Sequence, residues 1–330
     1  MENFEFIEYS RMRDFGQKVN VTFAFIKQNF TALGKSILFI GCPPILIASL
    51  LFGSFVGDML QFSSSGASSP VQVSNYFLTV GFWTQLGLLM LLLIVAIVMT
   101  FATIYNYIIL YAEKRSNQIE VSEVWERVRD TFWRYLATAI VYSLLIAALY
   151  LAFALFIYLA ASNILPEGVA AIACFIIVII GCYIIVAASL TFVIRAYEDL
   201  NAVSAVTRAL KLVSGKWWST FGLIFVLSMI AGTLSYVPLV ILSGITLVTS
   251  LHSLEAQTLA SPGTTMQVVT TVLLTIYYVL YLLLLALPQI GIAFQYFNLI
   301  ERKEAKGLMS QLENFGQQQD HTNRPHDEHY

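Results

Sequence analysis

Long runs of apolar residues alternate along the chain with short polar segments. A helix needs about 20 apolar residues to cross the hydrocarbon core of a bilayer, which is roughly 30 Å thick. A spanning segment is expected to be helical, because lipid offers no partners to unpaired backbone groups. The pattern predicts six transmembrane helices, near residues 36–56, 82–112, 135–161, 169–196, 217–251 and 268–300.

The basic residues predict how these spans are oriented. The 18 Lys and Arg residues fall before the first span, between the second and third, between the fourth and fifth, or after the sixth, with Arg195 at the very end of the fourth span. The other three connections contain none. Because cytoplasmic segments carry an excess of Lys and Arg, we expect both termini on the cytoplasmic side of the membrane.

A different pattern precedes each odd-numbered span, where apolar residues recur every three or four positions. In "AVSAVTRALKLV" they are Val203, Val206, Leu210 and Val213. Similar stripes run from Val19 to Leu33 and from Val121 to Tyr135. The pattern predicts three amphipathic surface helices, and we expect Thr or Ser to cap each one, at Thr22, Ser122 and Ser204.

The even-numbered spans also end alike, each at a glutamate: Glu113, Glu198 and Glu301. The chain is therefore predicted to hold three repeats of one unit, an amphipathic surface helix followed by a transmembrane hairpin. The repeats would form one all-α membrane domain over residues 1–316. The polar residues 317–330 are expected to be a disordered cytoplasmic tail.

Composition agrees with a membrane protein. The chain of 330 residues is 58 % hydrophobic and 12 % charged, and its mean hydropathy is +0.74. Soluble domains carry about 25 % charged residues. The first apolar run begins after a segment of mixed charge, so no cleavable signal peptide is expected.

Candidate chemistry is sparse. Ionisable residues are absent from the middle of the predicted spans, which argues against a proton-coupled pump. The three cysteines and four histidines lack the spacing of a metal or redox motif, and no catalytic motif is found. The sequence therefore predicts a protein that is not an enzyme and has no cofactor, metal site or nucleic-acid partner.

Uncharged polar side chains within the spans form the candidate internal site: Asn106, Gln289, Gln295 and Asn298. They would either line a cavity for an amphiphile or join helices by hydrogen bonds, and the second interpretation is favoured. Pro238 and Pro288 are expected to kink their spans, and Pro43-Pro44 to bend the first.

Basic residues of the predicted surface helices are candidate contacts with anionic lipid or with a partner. They are Arg127, Arg134, Arg208, Lys211 and Lys216.

The stretch "FVIRAYEDLNAVSAVTRALKLVSGKWWSTFGLIFVLSMI", residues 192–230, resembles a bacterial family. A span ends in an acidic residue, an Ala-rich helix carries an Arg, and a Gly-Lys-Trp turn leads into the next span. This is similar to the membrane domain of some bacterial glycerophosphodiester phosphodiesterases and its stand-alone, uncharacterised relatives. The ending "FNLIERKEAKGLMSQLENFG" is similar to multi-pass proteins of Bacteroidetes-type bacteria, and this resemblance implies a location in a bacterial inner membrane.

In those phosphodiesterases a soluble barrel fused to the membrane part performs catalysis. Here only a short tail follows the last span, so the resemblance implies a membrane module without the enzyme. Three functions stay open: an interaction or scaffold module with a separate membrane or cytoplasmic partner, a transporter of a lipid or small amphiphile, and an enzyme acting on lipid headgroups. The first is favoured.

Overall fold

The computed structural model describes residues 5–64, 77–255 and 264–304, and every regular element within them is an α-helix. The helices are α1 (Phe15–Ile40), α2 (Cys42–Ser64), α3 (Val80–Lys114), α4 (Val121–Ala161), α5 (Glu167–Ala188), α6 (Thr191–Tyr197), α7 (Ala202–Val213), α8 (Trp217–Ser235), α9 (Val237–Glu255), α10 (Thr264–Leu284) and α11 (Ala286–Glu304).

These helices define a membrane protein. Among the described residues, five helical segments are long and apolar enough to cross a bilayer, and a bent pair formed by α1 and α2 makes a sixth. The all-helical class and the approximate number of spans are therefore as predicted. The predicted tail of residues 317–330 lies outside the described residues.

Two of the predicted surface helices are not separate elements. Helix α1 runs without a break through Lys35, and the 41-residue α4 runs through Arg134. Neither boundary contains a proline, and Gly34 before Lys35 is accommodated within α1. Only α7 is set apart from the helix after it, because Gly215 between them has φ of +81°, a conformation that L side chains rarely adopt.

The first predicted span bends where its sequence indicates. Helices α1 and α2 meet at Gly41 with a bend of 54°. Pro43 and Pro44 occupy the first turn of α2, where the missing N–H group breaks no intrahelical bond. A Cβ atom at Gly41 would lie 2.5 Å from Thr100 Oγ1, so the bend brings α1 and α3 into close contact.

The other two prolines lie at the starts of new helices and do not kink a continuous one. Pro238 lies in the first turn of α9 and Pro288 in that of α11. The fifth predicted span therefore consists of α8 and α9, and the sixth of α10 and α11. In both cases proline begins a new helix, because its ring is tolerated there and not in a helix interior.

The predicted N-caps are wrong. Asp14 begins α1, since its Oδ1 accepts from Gln17 N at 2.7 Å and Gln17 Oε1 accepts from Asp14 N at 3.2 Å. Thr22 lies inside α1 and donates to Lys18 O. Asn201, and not Ser204, caps α7 by accepting from Ser204 N. Ser122 is the second residue of α4 and donates to Glu120 Oε2.

Of the predicted apolar stripe of helix α7, Val213 is buried and the other three residues are not, so the helix packs mainly through another face. Its buried residues are Ala205, Ala209, Leu212 and Val213, whereas Val203 is 65 % exposed. Small alanine side chains let a helix approach its neighbours closely, so the alanine face is the one against the protein. Helix α7 packs on α5 and α6.

The chain forms two compact units. Unit 1 contains Met1–Phe25, Leu144–Ile224 and Gly291–Tyr330, and unit 2 contains Ile26–Ser143 and Phe225–Ile290. In unit 2, α2 packs against both α3 and α10, and α9 packs against α10. Gly53 lies at the contact of α2 with α10, where a Cβ atom would meet three atoms of Thr271 within 3.1 Å.

We predict that Gly53→Ala lowers the free energy of unfolding by about 1–3 kcal/mol, because the β-branched Thr271 cannot rotate all three atoms away. The measurement is unfolding by SDS titration in mixed micelles. Gly87→Ala is the matched control: a Cβ atom at Gly87 in α3 meets nothing within 4 Å, so this change is expected to be neutral or stabilising by up to about 1 kcal/mol. Equal losses in both variants would contradict the prediction.

Candidate functional site

One face of α11 carries three polar residues that bond to other parts of unit 1 or lie at its surface. Gln295, Asn298 and Arg302 follow one another at spacings of three and four, so they lie on one side of the helix. Gln295 and Asn298 are buried and Arg302 is exposed. The chain before α1 and the first turn of α1 lie against this face.

Lys18 is the most buried cation of this region, with 2 % of its surface exposed. Its Nζ donates to Gln295 Oε1 at 2.6 Å and to Ser219 Oγ at 2.9 Å. Gln295 Nε2 donates to Thr220 Oγ1 at 2.8 Å, which turns the amide oxygen toward the ammonium group. These bonds join α1, α8 and α11 in unit 1.

Arg13 attaches the segment before α1 to the same helix. Its backbone N–H donates to Asn298 Oδ1 at 2.8 Å, and its guanidinium lies 5.4 Å from the centre of the Phe294 ring. The guanidinium also donates to the carbonyl oxygens of Tyr9 and Glu8. Burial and then the nearby Arg11 lower the pKa of Arg13, although Glu8 opposes the shift.

A second group in unit 1, the Arg208 network, consists of Glu198, Arg208, Tyr296 and Glu304. Arg208 Nε donates to both oxygens of Glu198, at 3.3 and 3.2 Å, and its NH2 group donates to Glu304. The Tyr296 hydroxyl donates to Glu198 at 3.0 Å. Burial alone lowers the pKa of Arg208, but the hydrogen bonds to Glu304 and Glu198 outweigh it and the pKa is raised.

Lys303 completes the attachment of α11 to α7. Its Nζ donates to the backbone oxygens of Lys211 at 2.6 Å and Ser214 at 3.0 Å. These carbonyl groups end α7 and have no intrahelical partner, so the ammonium satisfies them and complements the helix dipole.

An ion pair of the same kind occurs in unit 2. Arg127 of α4 donates to Glu113 at the end of α3, as Arg208 of α7 donates to Glu198 after α6. The side chains of this pair are 36 and 52 % exposed, whereas those of Arg208 and Glu198 are 27 and 19 % exposed. Each pair joins the end of one apolar helix to the helix that follows.

The structure does not assemble the four predicted amide side chains into one group. Asn106 Nδ2 donates to Thr131 Oγ1 at 2.8 Å, and Gln289 Oε1 accepts from the Tyr105 hydroxyl at 2.8 Å, both in unit 2. Gln295 and Asn298 lie together in unit 1. All four bond to protein groups.

The basic residues predicted to contact lipid or a partner differ in how exposed their side chains are. Arg127 and Arg208 are engaged in ion pairs, and Arg134 is half-buried. Lys211 and Lys216 are exposed.

Sequence reasoning missed Lys18 because it assigned every basic residue to a polar connection. The available signal was the spacing of Lys18, Thr22, Phe25 and Asn29, which places them on one face of a helix. All four are buried, while Phe23 and Phe30 on the face predicted to be apolar are 41 and 71 % exposed.

A cavity of about 360 Å³ lies between α4 and α5 in unit 1. Four alanines line it, with Ile157, Glu167 and Cys174. None of the four predicted amide residues is part of this lining. Among the described residues, no group of three or more His, Cys, Asp and Glu side chains could hold a metal ion.

No family model matches the chain, and neither the curated proteins nor the solved structures contain a match.

We predict that Arg208→Gln lowers the free energy of unfolding by about 1–2 kcal/mol, because it leaves two half-buried carboxylates without their cation. SDS titration in mixed micelles measures the loss. Arg127→Gln is the control, and its more exposed pair is expected to contribute about 0–1 kcal/mol.

The double variant Arg208→Gln/Glu304→Gln tests the cause of this loss. If the ion pair is responsible, the two substitutions are less than additive. Additive effects, or a loss at Arg127 as large as that at Arg208, would contradict the assignment.

Proposed function

We propose that the chain is a non-catalytic interaction module of a bacterial inner membrane, with six spans in three repeats and both termini in the cytoplasm. The partition of the 18 basic residues into alternate connections, with Arg195 at the end of the fourth span, supports this topology. The recurrence of a span-end glutamate bonded to an arginine of the next helix, at Glu113 and Glu198, supports the repeat.

The observation that carries the proposal is the internal use of polar groups. The amides of Asn106, Gln289, Gln295 and Asn298 bond to protein side chains or backbone, and each bond joins its helix to a different segment of the chain. Bonds of this kind hold transmembrane helices together, and each contributes about 1 kcal/mol. In a bundle of this kind the polar side chains bond to other protein groups and not to a ligand. Such a bundle suits a scaffold better than a transporter.

Exposed residues supply the surface through which such a module would act. Trp133 is 73 % exposed and precedes Arg134, and Trp218 is 77 % exposed and follows Lys216 by two positions. Tryptophan is enriched where lipid meets water, and basic residues are attracted to anionic headgroups there. Lys211 is exposed on α7 close to the Arg208 network. We place the partner's docking surface there.

The partner is a separately encoded protein of the membrane or cytoplasm. The resemblance to the membrane part of glycerophosphodiester phosphodiesterases leads us to an enzyme of lipid metabolism as the kind of partner. In this proposal the chain holds that enzyme at the membrane and performs no reaction itself.

A second candidate function is the binding or transport of a lipid or small amphiphile. The cavity between α4 and α5 favours it, because its largely apolar lining with one carboxylate, Glu167, suits an acyl chain with a polar end. The polar amides within the spans do not contribute to that cavity.

We predict that native mass spectrometry of the protein, extracted with its surrounding lipid, detects one protein partner at fixed stoichiometry. Lys211→Glu is expected to reduce the retained partner at least about tenfold, because it reverses a charge on the docking surface. Asn106→Leu is the control and is expected to retain the partner, since Asn106 bonds only within unit 2.

The opposite outcome distinguishes the two functions. A small molecule or lipid retained at fixed stoichiometry, with no protein partner, would contradict the module and favour the second candidate. Retention of the partner at wild-type level by Lys211→Glu would contradict the assigned docking surface.

A further inference from the structure

The cavity between α4 and α5 is charged at one end and apolar along its length. Glu167, the first residue of α5, is the charged residue among those that line it. Ala170, Ala171 and Cys174 follow on the same face of α5, one and two helical turns farther along. With a rise of about 1.5 Å per residue, Cys174 lies about 10 Å beyond Glu167 along the helix axis. A ligand in this cavity would meet a carboxylate at one end and apolar side chains elsewhere.

Small side chains and a fixed connection shape this space. Helix α4 contributes Ile157, Ala160 and Ala161, so four of the seven lining residues are alanines. The volume of about 360 Å³ lies within the range of about 300–1,000 Å³ that is usual for small-molecule sites. Two backbone N–H groups of the connection donate to Leu159 O, at 3.0 and 3.2 Å, which fixes how the two helices are joined beside Glu167.

The Glu167 carboxylate has no counter-charge within the part of the chain that the structure describes. It forms neither an ion pair nor a hydrogen bond with those residues. The basic residue nearest to it in sequence is Arg195, 28 positions later, which is up to about 40 Å away along α5 and α6. The connection itself, residues 162–166, contains no Lys or Arg.

The two helix ends beside Glu167 do not supply the missing charge. The N-terminus of α5 carries about half a positive charge, and the C-terminus of α4 carries about half a negative charge. No basic residue lies in the last turn of α4 to change this balance. The local charge is that of the carboxylate, so this end of the cavity favours a cation.

The lining also indicates which cation fits. A primary ammonium group has three N–H donors, which match the oxygens of a carboxylate. A quaternary ammonium group is recognised by a cage of aromatic rings, and none of the residues lining the cavity is aromatic. A phosphate beside the ammonium, as in a phospholipid, would be repelled by Glu167 and would meet no Lys or Arg of the connection.

We propose that this cavity binds a single-chain amphiphile with a primary ammonium headgroup and no phosphate. The ammonium pairs with Glu167, and the alkyl chain lies against Ile157 and the four alanines. Burial of the chain favours binding, and the ion pair selects the headgroup. Such binding rests on the second candidate function and adds the class of headgroup to it. It does not depend on the partner docking surface at Lys211.

The test compares three ligands with the same alkyl chain: decylamine, decanol and decanoate. The full-length protein is held in nanodiscs of phosphatidylcholine at neutral pH, where decylamine is charged. Native mass spectrometry counts the bound ligands, and a titration gives the apparent affinity. The expected result is one saturable site for decylamine and at least about tenfold weaker binding of decanol and decanoate, because only the amine forms the ion pair. Dioctanoyl phosphatidylethanolamine, which has both an ammonium and a phosphate, is expected to bind as weakly as decanol.

Glu167→Gln is expected to weaken decylamine binding about tenfold, because it removes the charge and keeps the size of the side chain. Glu126→Gln changes an exposed carboxylate outside the cavity and is expected to bind as the wild type does. Ala171→Leu is also expected to weaken binding, because its larger side chain fills the cavity. Ala173→Leu, on the same helix but outside the lining, is its control. Glu167 and Ala171 are exposed, so both variants are expected to fold.

Saturable binding of decylamine that Glu167→Gln and Ala171→Leu weaken, and their controls do not, would support the site. Equally tight binding of decanol, decanoate or the phospholipid would overturn the headgroup assignment and leave the second candidate function intact. No saturable binding of any ligand would overturn the site and remove the support for that function. Unchanged decylamine affinity in Glu167→Gln would also overturn the assignment. The module function is tested separately, by retention of the partner in Lys211→Glu.

Discussion

A bilayer offers no hydrogen bonds to a polar side chain, and this constraint governs how the helices of this chain meet. Each amide within the apolar helices bonds to a partner elsewhere in the protein: Asn106 to Thr131, Gln289 to Tyr105, Gln295 to Thr220 and Asn298 to Arg13. Without lipid as a competing partner, such bonds select particular helix neighbours. The apolar surface faces outward, as the exposed Phe30, Trp133 and Trp218 show.

The charged groups follow the same logic at the ends of the helices. Arg208 holds Glu198 and Glu304 together, and Lys303 caps α7 through two backbone carbonyl groups. These contacts fix α7 and α11 in unit 1, and the Arg208 ion pairs are half-buried, where they are screened less than in water.

The interruptions at proline followed from local chemistry and lie where the sequence indicated them, whereas two of the predicted breaks before spans are absent. Pro43 and Pro44 begin α2, Pro238 lies in the first turn of α9 and Pro288 in that of α11. The helix starts were less predictable. Asp14 caps α1 ahead of Thr22, and Asn201 caps α7 ahead of Ser204, because an N-cap depends on where the chain first enters the helical conformation. Several residues near each start were chemically suitable.

The sequence by itself determined the class of the protein, its approximate number of spans and the bend at Gly41. Hydropathy is a property of a short stretch of residues, and a bend depends on the glycine and prolines at that point in the chain. Only the tertiary structure decided that Lys18 is buried and that its ammonium meets Gln295, which is 277 positions away. It likewise decided which carboxylates Arg208 binds. A polar side chain on a helix has the same local pattern whether it faces water or a partner, so its role depends on which helices pack together.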